Sequence, residues 1–425
     1  MEKNTKTAEP EKAVIAGLSA DSMKLHDRST NESLDELEAL LETAGGICLG
    51  RALQNRRAPE PRTLIGDGKV KELKTIAELN ECTLAVFDNE LSPSQIRALS
   101  EDLGLRVIDR SSLILDIFAG RARTREGRLQ VELAQYKYLL PRLTGMWRHL
   151  VRQTGTSAPI GTRGPGETQL ESDRRHIRRK ITKLEEELSE VARVRETQRR
   201  LRAKNNIPVV ALVGYTNAGK STLLNTLTDA GVQAENRLFD TLDTTTRRLM
   251  VSDNLEVLIS DTVGFIRKLP HHLVSAFKAT LEELNYADLL IHVIDASSPQ
   301  WDEQVRVVDD LISELGAKDI PRIEAYNKCD MNTESFRAHG DNIVEISAKT
   351  GQGIDLLLKK VDALLSAAIK AVVIRLPYDK AGLVETLHRE GTVRATRYLD
   401  GCIEIEAVVN QSLYGKFSQY ISGNW

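Results

Sequence analysis

Val209-Val210-Ala211-Leu212-Val213-Gly214-Tyr215-Thr216-Asn217-Ala218-Gly219-Lys220-Ser221-Thr222 decides the fold. The first five residues form an unbroken apolar run, the pattern of a strand buried on both faces of a parallel sheet. The rest spells G-x-x-x-x-G-K-S and opens a helical period at 222–227. Its glycines let the backbone turn tightly, so that successive N–H groups point inward at the positive end of a helix dipole and cradle phosphate oxygens. Lys220 then reaches the β and γ phosphates, and the Ser221 hydroxyl ligates Mg²⁺. Strand, loop and helix together predict a bound nucleoside triphosphate.

Further apolar runs at 256–260, 288–294, 322–326 and 342–346, with helical periods between them, extend the pattern to a doubly wound α/β domain over 207–370. Three more motifs fall at predicted strand ends. Asp261-Thr262-Val263-Gly264 lies 40 residues past Ser221; its carboxylate suits a metal-bound water, and its glycine lets an N–H approach a γ phosphate. Asn327-Lys328-Cys329-Asp330 reads the base. One carboxylate accepts two hydrogen bonds, and guanine offers N1–H beside its exocyclic amine whereas adenine has no matching pair of donors, so Asp330 selects guanine. Asn327 either engages the guanine major-groove edge or ties down the phosphate loop, and the Lys328 stem lies flat on the base. Ser347-Ala348-Lys349 supplies backbone N–H groups near the guanine oxygen. Between the first two motifs, Phe239-Asp240-Thr241-Leu242-Asp243-Thr244-Thr245-Thr246-Arg247 fits a switch segment. Such a segment needs one threonine hydroxyl to complete Mg²⁺ coordination, and the residues alone leave four candidates.

Upstream, residues 1–30 are polar and aperiodic and read as a largely disordered extension. A small α/β domain follows over 31–120, with strand candidates at 47–49, 63–66, 83–87 and 105–108. Residues 121–204 carry 21 Lys+Arg against 10 Asp+Glu, an excess of +11 inside a chain whose net charge is −3. Leu129, Leu133, Tyr136 and Leu140, and again Ile177, Ile181, Leu184, Leu188, Val191 and Val194, recur at helical spacing. They predict an antiparallel helical hairpin over 121–206 with a glycine-rich tip, basic near Arg174, Arg175, Arg178, Arg179 and Lys180. A solvated charged face would need no partner, but an excess so local and positive points to nucleic acid. Residues 371–425 read as a small α+β domain with a hairpin turn at Asp400-Gly401.

Composition bounds the rest. The chain has 425 residues, 28% charged and 41% hydrophobic, which excludes both a single small module and wholesale disorder. Cys48, Cys82, Cys329 and Cys402 stand far apart with no C-x-x-C pair, so neither a disulfide framework nor a zinc site is expected. No apolar run is long enough to span a membrane and the first residues are too charged for a signal peptide, so a cytoplasmic protein is expected.

The ordered set G-Y-T-N-A-G-K-S, F-x-T-L-D-x-T-T-R, D-T-V-G-F, N-K-x-D and S-A-K closely resembles the HflX family of GTPases. Gly164-Pro165-Gly166-Glu167-Thr168-Gln169-Leu170-Glu171 ahead of them is highly specific to that family. The resemblance covers about 34–370. It implies that Thr241 is the threonine on Mg²⁺ and that Phe239, Asp240, Thr241, Leu242 and Asp243 contact GTP. Lys220, Thr241, Asp261 and Gly264 would then serve hydrolysis. It also implies a P-loop GTPase that docks on the large ribosomal subunit and acts in splitting, rescue or maturation of ribosomes, with the basic hairpin as its contact and the chain monomeric. Asp240 and Thr244 replace the family's usual alanine and proline, which leaves Thr241 intact but loosens the segment. Phe265 follows D-T-V-G where Ras carries the glutamine that orients water, so slow intrinsic hydrolysis is expected.

Two other function classes are weighed against this one. In the first the chain is an RNA-binding or RNA-remodelling protein whose affinity is tuned by GTP or ATP; salt-dependent RNA binding indifferent to nucleotide would favour it. In the second it is a membrane or signalling GTPase, disfavoured by the lack of an anchor or lipidation motif. His271 and His272 read as surface or packing residues, Trp147 as packing between the hairpin helices or as a base-stacking ring, and Tyr414, Phe417 and Tyr420 as the apolar face of a terminal helix.

Overall fold

The computed structural model describes residues 10–24, 27–153, 165–204, 207–228, 238–239, 245–252, 255–268, 282–331 and 340–424. The chain divides into two units. The first holds the chain up to Ser189 together with 238–239 and 266–268; the second holds the remainder.

In the first unit β1 (Glu11–Ala20), α1 (Asn31–Thr43), β2 (Gly46–Arg56), α2 (Asp67–Leu79), β3 (Leu84–Phe87), α3 (Pro93–Leu103), β4 (Arg106–Asp109) and α4 (Arg110–Arg121) alternate along the chain. The four strands are parallel, in the order β2-β1-β3-β4. Helix starts are written in the sequence. Thr30 and Ser92 each close a capping box, Pro93 sits in the first turn of α3, and the Asp109 carboxylate caps α4. Gly104, at φ 73°, ends α3 in the left-handed conformation that favours glycine.

Two sequence expectations are overturned here. Residues 11–20, expected within a disordered extension, form β1 between β2 and β3 in this sheet. The physical reason is burial: Ala13, Val14, Ile15, Ala16, Leu18 and Ala20 are all buried, and an all-buried strand carries no polar alternation to betray it. Residues 63–66 are not a strand. Leu64 turns back at φ 64° and exchanges two backbone bonds with Glu60, an isolated bridge inside the loop that leads to α2.

The helices α5 (Arg125–Gln153) and α6 (Pro165–Lys204) follow. Lys137 pairs with Glu185 at 2.8 Å, Lys180 Nζ donates to Tyr136 Oη at 2.7 Å, and Arg125 reaches Glu187 at 3.5 Å. From Arg125 to Tyr136 the partner moves back from Glu187 to Lys180, the direction of an antiparallel pair. Leu133, Ile177 and Leu184 are buried and the basic residues 174–180 are mostly exposed. Residues 154–164, most of the glycine-rich tip, lie outside the described residues, and helix already begins at Pro165.

The second unit is built on β5 (Val209–Gly214), α7 (Lys220–Thr228), β6 (Thr245–Ser252), β7 (Leu255–Asp261), β8 (Leu289–Asp295), α8 (Trp301–Glu314), β9 (Arg322–Asn327), β10 (Ile343–Glu345) and α9 (Ile354–Ala368). Its sheet order is β10-β9-β8-β5-β7-β6, parallel except for β6 on β7. Val210, Leu212, Val257, Ile259, Ile291, Val293, Ile323 and Ala325 fill its core, so the apolar runs become the buried strands. A second sheet comprises β11 (Ile369–Pro377), β12 (Thr392–Leu399), β13 (Cys402–Asn410) and β14 (Ile421–Asn424), with α10 (Gly382–Glu390) and α11 (Gln411–Phe417) beside it in sequence. All its pairings are antiparallel, in the order β12-β13-β11-β14. The β12–β13 turn contains Gly401 at φ 93°. Phe417 is buried in this core, and Tyr414 and Tyr420 pack against it, although α11 ends before Tyr420.

Candidate nucleotide-binding site

The sequence motifs meet at the carboxyl ends of β5, β7 and β9. Gly214 ends β5 with no room for a side chain: a Cβ there would lie 2.3 Å from the Val293 carbonyl oxygen. Asn217, at φ 60°, and Gly219, at φ 96°, turn the loop, and α7 opens at Lys220. The Lys220 ammonium is buried and donates to the carbonyls of Gly214, at 3.0 Å, and Tyr215, at 2.8 Å. Burial pushes its pKa down to about 8, with the Asp261 carboxylate opposing the shift.

Asp261, fully buried at the end of β7, accepts from Ser221 Oγ at 2.8 Å. The sequence thus brings a hydroxyl and a carboxylate together across 40 residues. Thr262 is pinned by its hydroxyl, which donates to the Leu212 carbonyl at 2.6 Å. Gly264 lies against the loop: a Cβ on it would stand 2.9 Å from Thr216 Cγ2 and 3.2 Å from Lys220 Nζ. The next peptide clasps the loop from both sides, Phe265 N–H donating to Gly214 O at 3.2 Å and Thr216 N–H donating to Phe265 O at 2.8 Å. The Phe265 ring is 2% exposed, a hydrophobic anchor that also has no group to orient water.

Asn327 ties down the phosphate loop. Its Nδ2 donates to the Ala218 carbonyl at 2.8 Å while its Oδ1 accepts from Ala348 N–H at 2.8 Å. It straps the phosphate loop to the S-A-K loop. Gly219 is required beside it, since a Cβ there would fall 2.2 Å from the same Nδ2. Lys328, at φ 64°, is half-buried and ion-pairs with Asp295 at 2.6 Å, while Asp330 is exposed. Ser347 Oγ accepts from Thr350 N–H at 3.2 Å and Lys349 is exposed.

Two contributors escaped sequence reading. Asp295, at the end of β8, sets the Lys328 ammonium, and Thr226 Oγ1 donates to the Ala348 carbonyl at 2.6 Å. A strand-end carboxylate was the only signal for the first; the second is a helical threonine with none. Phe239 is described and belongs to the first unit, whereas Asp240, Thr241, Leu242, Asp243 and Thr244 lie outside the described residues, as do His271 and His272. The side chain of Trp147 is outside them too. Burial raises the pKa of Cys48, Cys82 and Cys329, as expected of unreactive thiols. Among the described residues no helix is long and apolar enough to cross a membrane.

Comparison with known proteins covers nearly the whole chain. Residues 31–119 match the model described as GTP-binding GTPase N-terminal, 121–202 GTP-binding GTPase Middle Region, 209–328 50S ribosome-binding GTPase, and 334–414 HflX C-terminal domain. The likeness thus continues past residue 370, where the motif resemblance stopped. The GTPase HflX of Caldanaerobacter subterraneus is 47% identical over 92% of this chain and 90% of that protein. The GTPase HflX of Escherichia coli is 46% identical over 83% of each chain. A crystal structure titled as the SsGBP and GDP complex covers 84% of this chain and 99% of its own at 26% identity and a TM-score of 0.47, too slight a likeness to carry an argument. With phosphate loop, strand-end carboxylate and N-K-x-D motif at the carboxyl ends of one sheet, and with relatives of this identity along nine-tenths of its length, the chain belongs to the HflX family of GTPases.

Proposed function

We propose that this chain is a Mg²⁺-dependent GTPase that binds the large ribosomal subunit through the basic α5–α6 hairpin and uses GTP hydrolysis as a switch in ribosome splitting, rescue or assembly. The observation that carries the nucleotide chemistry is the convergence of Lys220, the Ser221–Asp261 pair and the Asn327 strap at one set of strand ends. In this reading residues 214–222 cradle the phosphates, Lys220 neutralises their oxygens, Gly264 N–H senses the γ phosphate and Asp330 selects guanine. The S-A-K backbone meets the guanine oxygen.

The residues fit Mg²⁺. Ser221 and Asp261 offer hard oxygen donors already 2.8 Å apart, and no group of three acidic, His or Cys side chains among the described residues could hold a metal alone. Mg²⁺ suits such a site because it takes few protein ligands and completes its shell with phosphate oxygens and water. Ser221 and Thr241 would hold it, Asp261 through water, and the ion would neutralise charge on the phosphates. Phe265 cannot position the attacking water, so intrinsic turnover is slow and a partner that supplies a water-orienting group accelerates it.

The ribosomal reading rests on the basic excess of residues 121–204 and on the name of the family model matched by 209–328. Sucrose-gradient cosedimentation with ribosomes and separate subunits, in GDP against a non-hydrolysable GTP analogue, tests it. Association with large subunits that strengthens with the analogue and weakens steeply with salt is expected. Charge reversal at Arg174, Arg175, Arg178 and Arg179 should flatten that salt slope. No association in either state sinks the partner; association with naked RNA that ignores nucleotide favours the RNA-binding alternative.

A further inference from the structure

Two short pieces from the nucleotide-binding half of the sequence fold with the first unit: residues 238–239 and 266–268. Phe239, buried, stands edge-on to Phe118 with ring centroids 4.7 Å apart, and Leu238 N–H donates to Thr43 Oγ1 at 3.3 Å. Lys268 ion-pairs with Asp88 and approaches Ser29 Oγ at 3.4 Å. Asp88 follows β3 directly and donates its N–H to Ala16 of β1. The pair therefore sits where the order β2-β1-β3-β4 reverses, between β1 and β3. In open parallel sheets that crevice is where a ligand binds. Here the occupant is a lysine of the same chain, four residues after Gly264.

We propose that Lys268 is a positioning residue, seated in the switch-point crevice of the N-terminal sheet, and that this seat biases the nucleotide site toward GDP by restraining Gly264 against the phosphate loop. The proposal rests on the nucleotide reading above. Gly264 and Lys220 are in close approach, and the Phe265 peptide is bonded to Gly214 and Thr216. A γ phosphate held between the Gly264 N–H and the Lys220 ammonium requires these groups to part. GDP makes no such demand. Because only residues 265–267 separate Gly264 from Lys268, drawing the glycine away pulls on the seated lysine.

The seat is built to be left. Asp88 is fully buried, yet it also accepts from Arg110 Nη1 at 2.9 Å, Ser33 Oγ at 2.9 Å and Ser29 Oγ at 2.6 Å. Burial works against its charge, but Arg110 and Lys268 hold its pKa below the ordinary value. Arg110 pairs in addition with Glu36. When Lys268 departs, Asp88 keeps one cation and both hydroxyls, so no bare charge is left in the interior, while the ammonium regains water. Burial lowers the lysine pKa where it sits, the sign of a group that gains hydration on release.

Equilibrium binding of fluorescent GDP and of a non-hydrolysable GTP analogue to the full-length chain, with Mg²⁺ present, reads the bias as a ratio of dissociation constants. Lys268→Met should tighten the analogue by roughly fivefold or more while GDP stays within about twofold. Lys268→Arg should restore the parent ratio, and Asp88→Asn, which leaves the two serines as partners, should shift it in the same direction as Lys268→Met. An unchanged ratio in both Lys268→Met and Asp88→Asn overturns the proposal, as does an equal change for both nucleotides. Failure of the parent chain to bind either nucleotide overturns the reading beneath it as well.

Discussion

Replacing Asn327 by alanine removes the strap between the phosphate loop and the S-A-K loop. Two buried backbone groups lose their partners, the Ala218 carbonyl and the Ala348 N–H, each now bonded at 2.8 Å to a side chain that is 2% exposed. An orphaned buried polar group costs about 1–3 kcal/mol, so the pair should cost roughly 2–5 kcal/mol, less where water enters the space left behind. In the proposed reading both orphans lie in loops that meet the nucleotide, so binding must rebuild order that the parent chain already has. If about half of that cost falls on the bound loops, at 1.4 kcal/mol per decade GDP affinity should fall by roughly fivefold to sixtyfold. Asn327→Asp keeps an acceptor for Ala348 but turns a carboxylate oxygen toward the Ala218 carbonyl, so it should bind no better than the alanine variant. Titration with fluorescent GDP gives the affinity, and urea unfolding without nucleotide gives the stability. An alanine variant with GDP affinity within twofold of the parent and an unshifted urea midpoint would falsify the strap.

Two other expectations are cheaper to test. Lys220 has a folded pKa of about 8, below the ordinary 10.5, so folding penalises its ammonium: the nucleotide-free chain gains stability as pH rises from about 8 toward 10.5. Phosphate binding needs that ammonium, so GDP affinity should be level below pH 8 and decline above it, whereas Lys220→Arg, charged throughout, should show no such slope in whatever affinity it keeps. Calorimetric titrations at pH 7, 8 and 9 decide between these and a flat profile. Ile15→Ala opens a cavity at a fully buried position of β1 and should destabilise the first unit by about 2–4 kcal/mol; an unshifted melting temperature means that 11–20 is not a core strand.

How much of this was legible depends on whether a contact is local. The phosphate loop, the β7 and β9 motifs and the helix caps are each complete within a few residues, and the run at 209–213 announces a buried strand by unbroken apolarity, with 256–260 and 322–326 weaker copies that carry Glu256, Arg322 and Glu324. Strand β1 carries the same signature but weakens it with alanines, a glycine and a serine, poor strand formers that only the pairing with β2 and β3 overrides. Residues 63–66 erred the other way, apolar and β-branched but bent by Leu64. Neither the Asn327 strap nor the Lys268 seat could be read along the chain, because their partners lie 109 and 180 residues away.

Because Phe239 and Lys268 complete the first unit, that unit is discontinuous in the order of synthesis. A nascent chain that has emerged only through α6 has all four strands of the N-terminal sheet and the whole hairpin, but the Phe118–Phe239 contact has yet to form and, among the described residues, Asp88 has Arg110 but not yet Lys268. The sheet can therefore form early, yet its crevice is finished only after Lys268 clears the exit tunnel, when β5 and β7 are also out. Closing the N-terminal unit thus falls at the stage when the phosphate loop and Asp261 are already out, ahead of β9 and the Asn327 strap. A fragment cut at the end of α6 carries that unit with its switch-point crevice open.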